Sequence, residues 1–163
     1  MSETPSQILR SLRQSGVFMD AGHFNHIYTI LPEVLGKGTF GRVSKCRRQG
    51  NGQHYAVKEI KYGSLKRREI SDIISEVKCL RSLNHVHIVH LKDAWLEGSY
   101  VLLVEDLLEG EDGFNTVVAS GGGVASTQCK DIMIQLAHAV AYLHSKMIVH
   151  RDVSACAFML SQS

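Results

Sequence analysis

Three glycines in the segment LGKGTFGRV follow the spacing G-x-G-x-x-G, at Gly36, Gly38 and Gly41. Glycine lets the backbone approach phosphate oxygens closely, because a Cβ atom there would force the chain away. The spacing alone is a weak signal, and a dinucleotide-binding fold would need a helix directly after it. Residues 42–48 instead read as a strand before a Gly-Asn-Gly turn, so the pattern favours a phosphate-binding loop between two strands.

A lysine follows in the next strand-like segment, YAVKEI. Alternation along a strand places Lys58 on one face with Ala56 and Ile60, opposite Tyr55 and Val57. A lysine that points inward from a sheet is costly unless it meets an anion, so Lys58 beside a glycine loop indicates bound phosphate. The alternative is that Lys58 lies in solvent at a sheet edge.

A carboxylate in the following helix is a candidate partner for this lysine. The segment SLKRREISDIISEVKCLRSL carries a helical apolar stripe, and Glu76 falls at the border of its Ile73, Val77 and Leu80 portion. Glu76 can therefore reach toward the sheet, where an ion pair with Lys58 would hold the ammonium group for arriving phosphates. Taken alone, Glu76 reads as a surface residue of the helix.

The first half of the chain supplies the elements that must position these groups. Five segments are rich in β-branched and aromatic residues and are bounded by turn residues. Gly-Asn-Gly at 50–52 and Glu-Gly-Ser at 97–99 each predict an antiparallel hairpin. The predicted order is strand-strand-strand-helix-strand-strand.

The second half of the chain has a helical pattern. Apolar side chains within residues 114–118 predict a short helix. Three glycines at 121–123 break the chain before a longer helix, which extends to about Ser145 and whose start Ser126 or Thr127 would cap. The buried stripe of that helix is predicted at Ile132, Leu136, Ala139, Val140 and Leu143.

The N-terminal segment, residues 1–27, carries one weakly amphipathic stretch with Ile8, Leu9 and Leu12. It is predicted to be an extension of the fold, either mobile or forming a short docking helix. Its start has no apolar core of the signal-peptide kind.

Composition excludes several classes of function. The 163 residues carry a formal charge of +2, too small to indicate nucleic acid or an anionic membrane as a partner. No apolar run approaches the ~20 residues that span a bilayer. The four cysteines are widely spaced and predict neither disulfides nor a zinc site. We therefore expect a cytoplasmic protein with no nucleic-acid or membrane partner.

Several motifs occur together in a fixed order: LGKGTFGRV, YAVK, Glu76, LNHVHIVHL, LLVEDLLEG and YLHSKMIVHRD. In this order and at these intervals, the chain from about residue 28 to residue 160 resembles a eukaryotic protein kinase of the serine/threonine type. The helical segment before the catalytic loop resembles that of the calcium/calmodulin-dependent type. The resemblance implies an α+β fold. It would comprise an N-terminal extension at 1–27, an ATP-binding small lobe with a five-stranded antiparallel sheet and one helix at 28–108, and a partial, mainly helical large lobe at 109–163.

The resemblance also implies roles for individual residues. Asp152 would be the catalytic base that accepts the proton of the substrate hydroxyl, with His150 and Arg151 shaping its loop. Val104 would guard the rear of the nucleotide pocket, and Glu111 or Asp112 would bind the ribose. The residues that would bind ATP are Leu35, Val43 and Ala56 around adenine, Glu105 and Leu107 through their backbone at the hinge, and Gly36, Gly38, Gly41, Lys58 and Glu76 at the phosphates.

The chain departs from the family pattern after Asp152. Ser154 stands where these kinases have a lysine, and Ala157 stands where they have the asparagine that binds the second magnesium ion. The sequence reaches Ser163 without an Asp-Phe-Gly segment, which carries the primary magnesium ligand. The resemblance therefore implies a kinase truncated after the catalytic loop, with an incomplete magnesium site and doubtful activity.

Two hypotheses about function follow. The chain is a fragment of a protein kinase domain that binds ATP and acts on a protein substrate, or it is an inactive, pseudokinase-like module that binds a partner kinase. A zinc site at His85, His87 and His90 is disfavoured, because alternation in an extended segment separates His90 from the other two.

Overall fold

The computed structural model describes residues 4–19, 22–38, 41–119, 121, 125–150, 153–154 and 159–161. The chain divides into two compact units. The first, here called the sheet unit, is Met1–Ser82 with His90–Leu107, and the second, the helical unit, is Leu83–Val89 with Leu108–Ser163. Within the described ranges, no helix has the length and apolarity needed to cross a membrane.

Among its described residues, the sheet unit contains three helices, one short 3-10 turn and five strands. In chain order they are α1 (Pro5–Gln14), α2 (Phe24–Ile27), β1 (Tyr28–Gly38), β2 (Gly41–Arg48), β3 (His54–Lys61), the 3-10 turn (Tyr62–Ser64), α3 (Arg67–Ser82), β4 (Leu91–Glu97) and β5 (Tyr100–Asp106).

The five strands form one antiparallel sheet in the order β1-β2-β3-β5-β4. Both predicted hairpins are present, and α3 lies in the chain between β3 and β4 as the apolar stripe indicates. The predicted α+β fold class, with a five-stranded antiparallel sheet, one helix packed on it and a mainly helical region after it, is confirmed.

Each face of the sheet packs against its own apolar cluster, because strand side chains alternate between the two faces. The helix-face cluster joins the sheet to α3 and α1 and contains Ile8, Leu12, Val17, Ile60, Tyr62, Ile70, Ile73, Val77, Leu91, Ala94, Leu96, Val101 and Leu103. The aromatic cluster covers the opposite face and contains Phe24, Tyr28, Cys46, Tyr55, Val57, Trp95, Leu102 and Val104. Burial of both faces makes strand register strongly specified, since a slip of one residue would exchange the two sets of side chains.

The N-terminal segment contributes to both clusters. Its helix α1 places Ile8 and Leu12 in the helix-face cluster, where they are 1% and 0% exposed. The backbone of Met19 then bonds to β4 at Ala94 and Leu96, and Phe24 of α2 enters the aromatic cluster. Of the two alternatives that the sequence left open, the structure therefore shows the docked helix.

The helical unit contains β6 (Gly110–Asp112), α4 (Gly113–Ala119), α5 (Ser126–Ser145) and β7 (Met159–Ser161). The bounds of α5 agree with those predicted, but its N-cap is Ala125, which makes no side-chain capping hydrogen bond. The prediction of a Ser126 or Thr127 cap is thus wrong, because the helix begins one residue earlier than a capping hydroxyl would require.

The predicted apolar stripe of α5 is only partly buried within the described residues. Ala139 and Leu143 are buried, whereas Ile132, Leu136 and Val140 are half-buried. In the same unit, β6 and β7 pair as a two-stranded antiparallel sheet that the sequence did not predict. Also in this unit, the ring of His85 stacks on that of Tyr142, with centroids 4.9 Å apart.

Candidate nucleotide-binding site

Lys58 lies near the middle of β3, the central strand of the sheet, and pairs in register with Val43 on β2 and Leu103 on β5. It is therefore not at a sheet edge, which was the alternative reading of its sequence. Its Nζ atom donates a hydrogen bond to Oε1 of Glu76 on α3, at 3.0 Å. The pair predicted from the sequence is thus formed between the sheet and the helix.

The alternation of side chains along β3 explains why Lys58 faces α3. Ile60 belongs to the helix-face cluster, whereas Tyr55 and Val57 belong to the aromatic cluster on the opposite face. Lys58 must share a face with Ile60 because the two are separated by one residue. Glu76 reaches Lys58 from beside Val77, which anchors that turn of α3 in the same cluster.

The Lys58–Glu76 pair is well placed to act on a ligand but contributes little to stability. The two side chains are 31% and 41% exposed, so water screens their attraction. Ion pairs of this kind contribute about 0–1 kcal/mol to the free energy of unfolding. The pair fixes the position of an ammonium group that remains accessible, as a site for an incoming anion requires.

The glycine segment forms the end of the β1–β2 hairpin. Gly36 pairs with Val43 and Gly38 pairs with Gly41, and residues 39–40 between them lie outside the described residues. A Cβ atom built on Gly36 would meet no atom within 4 Å. Packing within the described part of the unit therefore does not account for glycine at position 36, whereas close approach by a phosphate would.

Gly41 has a different structural reason. A Cβ atom there would lie 1.8 Å from the backbone oxygen of Glu59 on β3. The Glu59 side chain is itself held by Arg42 at 2.8 Å and by the buried hydroxyl of Ser44 at 3.1 Å. Gly41 thus permits the close approach of β2 to β3, which sets the distance between the glycine segment and the strand of Lys58.

Two of the residues expected around adenine, Val43 and Ala56, lie on the same face of the sheet as Lys58. Val43 pairs with Lys58, and Ala56 lies two residues before Lys58 on the same strand. Both are half-buried. Leu35 lies at an irregularity of β1 between Val34 and Gly36, and its side chain is 42% exposed.

The structure corrects the expectation for Val104. Val104 pairs with Val57 and belongs to the aromatic cluster, on the face opposite Lys58. Leu103 instead pairs with Lys58 and lies in the helix-face cluster. The resemblance implied that Val104 guards the rear of the nucleotide pocket. The register of β5 against β3 decides which side chain lies next to Lys58, and that side chain is Leu103.

Glu105 has a side-chain environment that the sequence did not indicate. It pairs with Ala56 and is half-buried on the face of Lys58. Burial raises the pKa of its carboxyl group, the nearby Lys58 ammonium opposes that shift, and the Glu76 carboxylate adds to it. The side chain of Glu105, and not only its backbone, therefore takes part in the electrostatics around Lys58. Only the register of β5 against β3 shows this, because it places Glu105 two residues from Leu103, the partner of Lys58.

The remaining predicted residues lie beyond the end of β5, and several of them are outside the described residues. Leu107 is half-buried and follows the last residue of β5. Asp152, with Arg151, lies outside the described residues, as does Ala157. Glu111 and Asp112 belong to β6, but their side chains are not among those described, and His150 is exposed. The structure therefore brings together Lys58, Glu76 and the glycine segment in the sheet unit.

Comparison with known proteins agrees with this geometry. Residues 29–163 match the family model described as the protein kinase domain. The chain belongs to the eukaryotic protein kinase family. Over 80% of its own length, the chain is 34% identical to serine/threonine-protein kinase 36 of Pongo abelii, and the matched region is 10% of that relative's length. It is 37% identical to calcium/calmodulin-dependent protein kinase type 1 of Caenorhabditis elegans over 74% of its length, which covers 34% of that relative.

A third relative is the serine/threonine-protein kinase Nek1 of Mus musculus. It is 29% identical over 76% of this chain, and the matched region is 10% of the length of Nek1. The chain thus spans between about a tenth and a third of the length of these three kinases. The part of this chain that matches the protein kinase family model contains the glycine segment, Lys58 and Glu76.

The two glycines of this kinase segment predict opposite outcomes when each is replaced by alanine. Gly36→Ala should change the free energy of unfolding by no more than about 0.5 kcal/mol, because its Cβ meets open space. It should nevertheless weaken ATP binding, because the added methyl group stands where phosphate would approach. Gly41→Ala should lower the free energy of unfolding by about 1–3 kcal/mol, because its Cβ collides with backbone.

Urea denaturation and calorimetric titration with ATP on the two variants separate these effects. A Gly36→Ala variant that binds ATP as tightly as the parent chain would show that phosphate does not approach this residue. A Gly41→Ala variant with unchanged stability would contradict the close β2–β3 approach.

The raised pKa of Glu105 predicts a pH dependence of stability. The native carboxyl group keeps its proton to a higher pH than the unfolded chain, whose ordinary value is 4.5, so the native state binds more protons above that pH. The contribution of Glu105 to the free energy of unfolding therefore falls as the pH rises through this range. Glu105→Gln should remove that fall, and its stability relative to the parent chain should increase with pH above 4.5.

Urea denaturation at a series of pH values measures this difference. Glu33→Gln is the matched control, since Glu33 is a 57% exposed carboxylate on β1 that pairs with Lys45. An equal pH response in the two variants would contradict the burial of the Glu105 carboxyl group.

Proposed function

We propose that the sheet unit binds ATP and that residues 28–108 act as the ATP-binding lobe of a serine/threonine protein kinase. One observation carries the proposal: an accessible ammonium group, held 3.0 Å from Glu76, stands on the sheet face next to a glycine segment with open space at Gly36. A cation and unobstructed backbone are what phosphate groups need. Lys58 would bind the α- and β-phosphates, with Glu76 holding it in place.

The adenine end of the nucleotide would lie against apolar side chains. Val43 and Ala56 support this role because they share the face of Lys58, and Leu35 supports it because its side chain is exposed next to Gly36. The backbone at Glu105 and Leu107 would provide the polar contacts to the adenine edge. Under this proposal the Glu105 carboxyl group lies close enough to Lys58 to influence phosphate binding as well.

The family reaction is transfer of the γ-phosphoryl group of ATP to a protein hydroxyl group, which Mg²⁺ assists by neutralising charge on the phosphates. Asp152 would accept the proton of that hydroxyl group. We propose that transfer by residues 1–163 is weak or absent, because Ala157 cannot coordinate the second magnesium ion and Ser154 carries no charge. Transfer to a generic basic protein, abolished by Lys58→Met, would overturn this part of the proposal.

A second candidate function is a cytoplasmic, inactive module that binds a partner kinase. The same two substitutions favour it, as do the apolar side chains of Met133 and Ile134 on α5, which are 61% and 43% exposed. Exposed apolar groups on a helix are typical of interaction surfaces. Co-purification with a kinase, together with no thermal shift on addition of ATP and Mg²⁺, would favour this function over ATP binding.

Isothermal titration calorimetry with ATP and Mg²⁺ tests the leading proposal. Lys58→Met should weaken binding by about 10- to 100-fold, since a hydrogen bond to a charged group contributes about 1.5–3 kcal/mol and each 1.4 kcal/mol is tenfold. Lys92→Met is the matched control. Lys92 pairs with Asp106 at the same 3.0 Å, and its side chain is 34% exposed, similar to that of Lys58.

The control variant should bind ATP as the parent chain does, because Lys92 lies on β4 and is not among the proposed site residues. Equal weakening by Lys58→Met and Lys92→Met would indicate a general charge effect. Unchanged binding by Lys58→Met would remove the observation on which the proposed function rests.

A further inference from the structure

The N-terminal helix α1 is built into the core next to α3. Its side chains Ile8 and Leu12 are 1% and 0% exposed and belong to the same cluster as Ile70 and Ile73 of α3. Side chains buried to this extent are part of the packing that determines where neighbouring elements lie. α3 is the helix that carries Glu76.

Local features fix both ends of α1. Thr4 and Gln7 form a capping box, in which each side chain bonds to the backbone of the other residue, and Pro5 occupies the first turn. At the other end, Gly16 adopts a φ of +68°, which ends the helix. The chain then continues to Met19, whose backbone bonds to β4 at 2.8 and 2.9 Å. The helix is thus held in one place on the sheet unit.

Helix α1 also packs against the connection between β3, which carries Lys58, and α3, which carries Glu76. The 3-10 turn Tyr62–Ser64 follows the strand of Lys58 and leads into α3, and α1 contacts both this turn and α3. Tyr62 in the turn is buried in the helix-face cluster with Ile8 and Leu12, and its hydroxyl group donates to the backbone oxygen of Gly98 at 2.8 Å. A change in the packing of α1 therefore bears on the segment that sets the distance from β3 to α3.

We infer that α1 is a positioning element for the nucleotide site, with Ile8 and Leu12 as its positioning residues. They act through α3: their burial against it keeps Glu76 within hydrogen-bond distance of Lys58. The exposed ion pair is too weak to hold a helix by itself, so apolar packing must supply the constraint. This inference rests on the proposed nucleotide binding for its effect on affinity, but the positioning of α3 can be measured without nucleotide.

The test compares two leucine-to-alanine variants of the full chain. Leu12→Ala shortens a side chain of α1 in the helix-face cluster, and Leu102→Ala shortens one in the aromatic cluster on the opposite face of the sheet. Leu102 is 4% exposed and is not among the proposed site residues, so it controls for general loss of core packing. Both variants are expected to be less stable than the parent chain.

The decisive readouts are hydrogen exchange along α3 and affinity for ATP, at a temperature where both variants are folded. Leu12→Ala should speed amide exchange in α3 and weaken ATP binding by about fivefold or more, whereas Leu102→Ala should do neither. The effects of Leu12→Ala and Glu76→Gln on ATP affinity should be non-additive, since both act on one ion pair. Leu12→Met, which conserves volume, should restore both readouts toward the parent chain.

The outcomes separate this inference from the proposed function. Unchanged α3 exchange in folded Leu12→Ala, or equal changes in the two alanine variants, would overturn the positioning role. If the parent chain binds no ATP, the proposed function fails while the exchange comparison still decides whether α1 positions α3. If Leu12→Ala does not fold, the milder Ile8→Val variant with the same two readouts takes its place.

Discussion

The packing of the sheet unit fixes the position of the ion pair between Lys58 and Glu76. This pair joins two different elements, the central strand β3 and helix α3, at 3.0 Å. The pair contributes only about 0–1 kcal/mol because both side chains reach water. Burial of a single leucine or isoleucine contributes about 1.5–3 kcal/mol, so the geometry of the pair is set by the apolar clusters and not by its own attraction. The accessibility that makes it weak as a stabilising contact is also what leaves the ammonium group free to meet an anion.

Register connects this pair to the rest of the site. Because Lys58 pairs with Val43 and Leu103, the same alternation brings Ala56 and Glu105 to its face and sends Val57 and Val104 to the aromatic cluster. Two carboxyl groups then share the surroundings of one ammonium group, and burial raises the pKa of the Glu105 carboxyl group. The N-terminal segment completes the arrangement, since it adds side chains to the clusters on both faces.

Much of this arrangement could be predicted from the sequence, because strong local patterns encode it. The strand and helix order, the facing of Lys58 and the bounds of α5 follow from alternation, apolar stripes and turn residues, and the ordered motifs indicated the family. Three features could not be predicted in the same way. The docking of α1 depends on two buried side chains, Ile8 and Leu12, in a short and weak apolar pattern. That Leu103, and not Val104, lies next to Lys58 depends on cross-strand register. The pairing of β6 with β7 joins segments that are distant in sequence. All three are properties of tertiary packing that no local pattern carries.

The most direct test of the central claim is covalent labelling with an acyl phosphate of ATP, whose reactive carbonyl group acylates an amine held beside the phosphates. Mass spectrometry would locate the modified lysines with and without excess ATP. Acylation is expected at Lys58, and excess ATP should suppress it, whereas any modification of exposed lysines such as Lys92 should be unaffected by ATP. Labelling of Lys58 at the same level as Lys92, with no suppression by ATP, would contradict the claim that this ammonium group receives nucleotide phosphates.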